Sequence, residues 1–168
     1  IRQIDTESRA VDLSGDGHPD AIRRTRTEVH EVDLDGDGRP DVVETSTVVE
    51  TIADVDGDGI PDVITTVETS EVEMDFDGDG IADSIEVTEV RTVAHDIDGD
   101  GIPDISRTEV VTASGIDPDA SGEYRDVQTA GVRLYGLDTT GDGTLDEIVA
   151  EEIEVEAVMD DALPEGDV

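Results

Sequence analysis

"DLDGDGRPDVVETSTVVETIA", residues 33–53, divides into two unlike halves. The first nine residues hold four aspartates, two glycines and a proline, while the rest is Val, Thr and Ile around a few Glu, Ser and Ala, with no Gly or Pro to break it. So many like charges in one turn repel each other unless a cation sits among them. β-Branched side chains crowd a helical turn but suit a pleated strand. The stretch is therefore predicted to be a charged turn that feeds one long strand.

The same pattern recurs along the chain. "DLSGDGHPDAI" begins at Asp12, "DVDGDGIPDVI" at Asp54, "DFDGDGIADSI" at Asp75, "DIDGDGIPDIS" at Asp96 and a looser "DTTGDGTLDEI" at Asp138. The first aspartates are 21 residues apart with one step doubled, and "DPDASGEYRDV" from Asp117 fills that gap as a degenerate copy. Counting the loop's first Asp as position 1, position 16 is Thr27, Val48, Thr69, Val90, Val111, Val132 and Ile153, all β-branched. Residues 1–158 thus read as one β-repeat domain of eight strands and seven loops, from a first strand at 1–11 to a last at 148–158. Residues 159–168, "MDDALPEGDV", break the pattern and read as a C-terminal tail or cap. Each strand should span roughly 35–40 Å.

Bulk composition narrows the function. Against 47 acidic residues stand 10 basic ones, a net charge of -37, so a polyanion such as nucleic acid is excluded as a partner. Phe76, Tyr124 and Tyr135 are all the aromatics, too few for a thick core. No apolar run approaches the roughly 18 residues of a membrane helix, so no membrane insertion is expected. Without cysteine there is neither a disulfide framework nor a thiolate metal site. The opening at Ile1, without Met or a leader, reads as a processed chain or part of a longer array.

The loops have the donor spacing of a site for a hard divalent cation, which takes oxygen ligands. Position 1 is Asp12, Asp33, Asp54, Asp75, Asp96 or Asp138, and position 3 is Ser14, Asp35, Asp56, Asp77, Asp98 or Thr140. Position 5 is Asp16, Asp37, Asp58, Asp79, Asp100 or Asp142. Position 7, through its backbone carbonyl, is His18, Arg39, Ile60, Ile81, Ile102 or Thr144. Position 9 closes the shell with Asp20, Asp41, Asp62, Asp83, Asp104 or Asp146. Glycine at position 6 permits the positive φ of a sharp turn. Calcium, with six to eight oxygens, suits such an anionic ring better than magnesium, which demands octahedral geometry. Six loops are expected to bind Ca2+, with the Asp117 loop weak or empty because Ser121 and Arg125 stand at positions 5 and 9.

"DLDGDGRPDVV" resembles the calcium loop of FG-GAP and VCBS repeats, and its DxDxDG core is similar to thrombospondin type 3 repeats, dockerins and EF-hands. The resemblance covers about nine residues per repeat and implies a calcium site, an extracellular setting and a strand on each side of the loop. The 21-residue period departs from those families, and only Glu44 and Glu86 supply the position-12 Glu of an EF-hand.

Two architectures fit a strict repeat: a solenoid with all loops on one edge, or an antiparallel meander with loops at alternate edges. Solenoid coils lie about 4.8 Å apart. A loop wrapped round an ion, with ligands near 2.4 Å on every side, is thicker than that. In a meander, loops on one edge are about 9.6 Å apart, so the meander is favoured. With charges on both faces, as at Glu68 and at Glu71 and Glu73, a closed barrel is set aside. Threonines do not repeat at positions 13 and 15, which read Arg24 and Arg26, Thr45 and Thr47, then Thr66 and Glu68, so no threonine ladder of the ice-binding kind is expected.

His18, His30 and His95 fall at unrelated repeat positions and assemble no catalytic set, so the chain does not read as an enzyme. The favoured function is a calcium-stabilised structural repeat at the cell surface or outside the cell, either a stalk or a filament subunit whose partner is itself through head-to-tail strand pairing. The alternative is an adhesin or lectin-like module holding a cell-surface protein or glycan at its calcium loops.

Overall fold

The computed structural model describes residues 1–15 and 17–154. Its eight strands, β1 (Arg2–Val11), β2 (Ala21–Val32), β3 (Val42–Ala53), β4 (Val63–Met74), β5 (Ser84–His95), β6 (Ile105–Ile116), β7 (Arg125–Leu137) and β8 (Glu147–Glu152), form a single open sheet in the order β1 to β8. Every neighbouring pair is antiparallel. The chain is an all-β meander, and β1 to β7 sit, to within a residue or two, where the Val- and Thr-rich segments placed them.

Most strands start a residue early, because position 10 already joins the ladder, as in Ala21↔Ala53 and Val42↔Met74. The last strand is shorter than expected and ends at Glu152. It gains ladder bonds from β7 alone, and Glu151, Glu152 and Glu154 stand at its end and just beyond it. The remainder of that expected strand, including Glu156 and Val158, and the tail 159–168 lie outside the described residues.

Antiparallel pairing reverses the repeat position from one strand to the next. Thr27 therefore faces Thr47, and Thr47 faces Thr69, although their positions in the repeat differ. The Thr27 and Thr47 hydroxyls lie 3.2 Å apart, Thr88 and Thr112 3.1 Å, and Thr92 and Thr108 3.0 Å. Threonine rows thus do form, contrary to the comparison of equal positions, but the row through Thr47 stops at Asp5 on one side and Glu89 on the other.

Among the described residues, the buried hydrophobic side chains are just Ala21 and Ala53. Leu13, Leu34, Val55, Phe76 and Ile97, all at position 2, are 59–73% exposed. The sheet is one layer thick, and what positions its loops is the backbone ladder together with half-buried Val, Thr and Ile.

Candidate metal centres

Each loop organises itself through its carboxylates before any cation is considered. The position-1 aspartate accepts from the N–H groups of positions 4 and 6: Asp75 takes Gly78 and Gly80 at 2.8 Å each, and Asp12 takes Gly15 at 2.6 Å and Gly17 at 2.7 Å. A side chain at either position would have to adopt the positive φ seen at Gly57 (79°) and Gly59 (94°), which is why both are glycine. Position 3 accepts from the N–H of position 5, as Asp35 does from Asp37 at 2.9 Å. Position 5 accepts from position 7, as Asp58 does from Ile60 at 2.7 Å. The position-9 aspartate reaches back to the N–H of position 2, as in Asp83 to Phe76 and Asp104 to Ile97, both 2.6 Å.

These bonds hold the ionised form in place. The Gly80 amide, opposed by burial and aided by Gly78, sets the Asp75 carboxyl below the usual range, and Gly17 and Gly15 do the same for Asp12. Burial pushes Asp138 up, but the Gly143 and Gly141 amides outweigh it and leave the group lowered. Asp20 is lowered chiefly by the Leu13 amide, and Asp146 by the Thr139 hydroxyl and amide.

Among the described residues, four loops gather three carboxylates with oxygen atoms all within 4.8 Å of one another: Asp33, Asp35 and Asp37; Asp54, Asp56 and Asp58; Asp75, Asp77 and Asp83; Asp96, Asp98 and Asp104. Two oxygens on opposite sides of an ion 2.3–2.6 Å from each are about 4.6–5.2 Å apart, so each cluster is compact enough for one cation to reach all three carboxylates. Asp41, Asp62, Asp79 and Asp100 belong to the same loops but not to those triads. In the first and last loops a hydroxyl stands at position 3, and Ser14 and Thr140 donate to Asp12 and Asp138 at 3.2 and 3.3 Å. Asp16 lies outside the described residues, while Asp142 accepts from Thr144 N–H at 2.8 Å. Of the position-7 residues assigned as carbonyl donors, Arg39, Ile60, Ile81, Ile102 and Thr144 also donate their N–H to the position-5 carboxylate.

Two features were not anticipated from the sequence. Loops on one edge are tied together: the N–H of position 1 donates to the position-9 carbonyl two strands back, in Asp54 to Asp20 (3.0 Å), Asp96 to Asp62 (3.0 Å) and Asp75 to Asp41 (2.9 Å). Position 7 covers the next loop in the same column. The Arg39 guanidinium donates to the carbonyls of Gly78 (3.3 Å) and Asp79 (2.9 Å), and Ile60 lies over Gly101.

The loop from Asp117 is built differently. Asp117 is fully buried and accepts from Ser121 N at 3.1 Å and Gly122 N at 2.6 Å. Arg125, at position 9, pairs with Asp119 at 2.7 Å. Tyr124 packs near carboxylates, and burial followed by the charges of Glu73, Asp117 and Glu71 pushes its hydroxyl up. Comparison with models of known protein families, with curated proteins and with solved structures finds no match for this chain.

Proposed function

We propose that this chain is an extracellular structural module whose open sheet is held rigid by about six calcium ions, one in each loop except the one from Asp117. The observation that supports this most is the fourfold recurrence of three carboxylates grouped within 4.8 Å, each loop held in shape by its own N–H groups. Asp33, Asp35 and Asp37, and their equivalents, would hold the ion by carboxylate oxygen, with the position-7 carbonyl and position-9 carboxylate completing the shell. The ion supplies charge neutralisation there. On a one-layer sheet at net charge -37, with two buried hydrophobic side chains among the described residues, that neutralisation is the strongest available source of stability. Calorimetric titration with calcium should find about six sites, and circular dichroism should lose most strand signal in chelator and regain it with excess calcium. Two or fewer sites, or an unchanged spectrum and melting point, would refute the proposal.

Self-association is the second part of the reading. Ile1 and Glu31 exchange both backbone bonds, at 2.7 and 2.8 Å, so even-numbered residues of β1 turn their N–H groups away from β2. That edge can add a strand from a second copy, β8 of one chain beside β1 of the next, with Arg9 facing a glutamate-rich strand while Arg2 holds Glu28 of β2 at 2.5 Å. One local brake exists: Asp5 accepts the Thr6 N–H at 2.8 Å and must swing aside for pairing.

A further inference from the structure

We infer that Arg125 serves the loop 117–125 as a built-in cation, so that the β6–β7 hairpin stays folded when calcium is withdrawn and the β3–β4 hairpin does not. The inference rests on the calcium reading of the other loops and concerns what this chain's own residues do in place of the ion.

The geometry of the loop carries it. Where every other loop has an aspartate at position 9, this one has Arg125, whose guanidinium lies 2.7 Å from the Asp119 carboxylate at position 3. At position 5, Ser121 replaces a carboxylate with a hydroxyl that lies 3.2 Å from Asp117 and 3.0 Å from Asp119. Two repelling acids have thus become one donor and one cation, while Asp117 keeps its bonds to the Ser121 and Gly122 amides. The conformation is not relaxed: Ala120 and Asp126 have φ of 49° and 52°, and the β6–β7 register shifts between Ser114 and Ile116. A loop that retains such costs needs a compensating interaction present in every copy of the protein, and a covalently attached guanidinium meets that need where a dissociable ion does not.

The flanking strands are supplied in the same way. Arg133 pairs with Glu109 at 2.5 Å and with Glu151 at 2.9 Å, bridging β6, β7 and β8, and Arg107 lies 3.4 Å from Glu109. Residues 105–137 contain five acids and three arginines, a net of -2. The equivalent 33 residues of the β3–β4 hairpin, 42–74, contain nine acids and no base, a net of -9. Without calcium, repulsion concentrates in β3–β4 and is largely cancelled within β6–β7. The sheet therefore opens first at β3–β4, keeping a folded remnant in β6–β7 from which strands can be re-added when the ion returns.

Hydrogen exchange of the full chain, followed by mass spectrometry in calcium and in excess chelator, tests this. In calcium both hairpins should be protected. In chelator, β6–β7 amides should exchange at least about tenfold more slowly than β3–β4 amides. Arg125→Gln should narrow that difference in chelator, and Arg125→Lys should restore part of it. Equal loss of protection in both hairpins of the unaltered chain would overturn the inference while leaving calcium binding intact. Protection unaffected by chelator anywhere would overturn both. Because the first comparison uses the unaltered chain, it decides even if Arg125→Gln fails to fold.

Discussion

Gly59→Ala isolates the backbone contribution to one metal loop. Gly59 sits at φ +94°, and a Cβ added there would meet no atom within 4 Å, so the substitution introduces no clash. What it introduces is left-handed backbone strain, about 1–2 kcal/mol for a residue with a Cβ. The loop cannot escape by rotating, because the Gly59 N–H donates to Asp54 at 2.9 Å and its loss would release the position-1 carboxylate. In the ion-free protein the altered loop can relax, and binding must restore the strained form. The strain then appears as lost affinity, and since 1.4 kcal/mol is tenfold, the loop 54–62 should bind calcium about 5–30-fold more weakly. Titration calorimetry of Gly59→Ala should show one site weakened and the others unchanged, with Gly59→Asn falling between, since Asn tolerates this conformation. Unchanged affinity, or equal weakening at every site, would refute the argument that positive φ in each loop is needed for its own ion.

Four further outcomes are expected. Calcium saturation should bring the net charge from -37 to about -25, two units for each of about six ions, read as a shift in electrophoretic mobility. The pH dependence of the calcium-loaded chain follows from the lowered carboxyls of Asp12, Asp20, Asp75, Asp138 and Asp146: folded values below the ordinary 3.8 give stability that is present above it and lost as pH falls through and below it, so melting temperature in calcium should drop under about pH 4. Glu73 has the opposite sign, raised by burial and then by Glu71, so Glu73→Gln should raise the melting temperature at neutral pH and lose its advantage as pH falls through 4.5. Prolines at Ile4 and Thr6, whose N–H groups point outward from β1, should abolish any calcium-dependent fibre without changing ion stoichiometry, whereas Asp5→Ala should promote fibres. Light scattering and electron microscopy read both.

Strand positions, loop positions and the meander were legible because a fixed 21-residue period leaves few arrangements, and because a loop wrapped round an ion is too thick for solenoid spacing. The glycine at position 6 was legible as a turn former, though neither it nor the glycine at position 4 was legible as an amide donor that holds position 1. Side-chain rows were misjudged for a simple reason: equal positions in the repeat are neighbours in a solenoid, whereas in a meander Thr27 meets Thr47 and Arg133 meets both Glu109 and Glu151. Backbone bonds between loops, such as Asp96 to Asp62, leave no trace in residue type, since any non-proline N–H can make them. The role of Arg125 was half legible, as the absence of a ligand and not as the presence of a charge partner.

The bonds that tie loops within a column, Asp54 to Asp20 and Asp75 to Asp41, connect repeats two apart and never adjacent ones. The heritable unit of lengthening is therefore a pair of repeats, 42 residues, and not the 21 that the sequence displays. Duplicating a pair inserts two strands and leaves every later loop on its own edge and every later side chain on its own face. Duplicating a single repeat sends all that follows to the opposite edge and turns it over, so that Arg39 would cover a different loop and each face would exchange its pattern of charge beyond the insertion. Length variation in such a sheet should be quantised by parity.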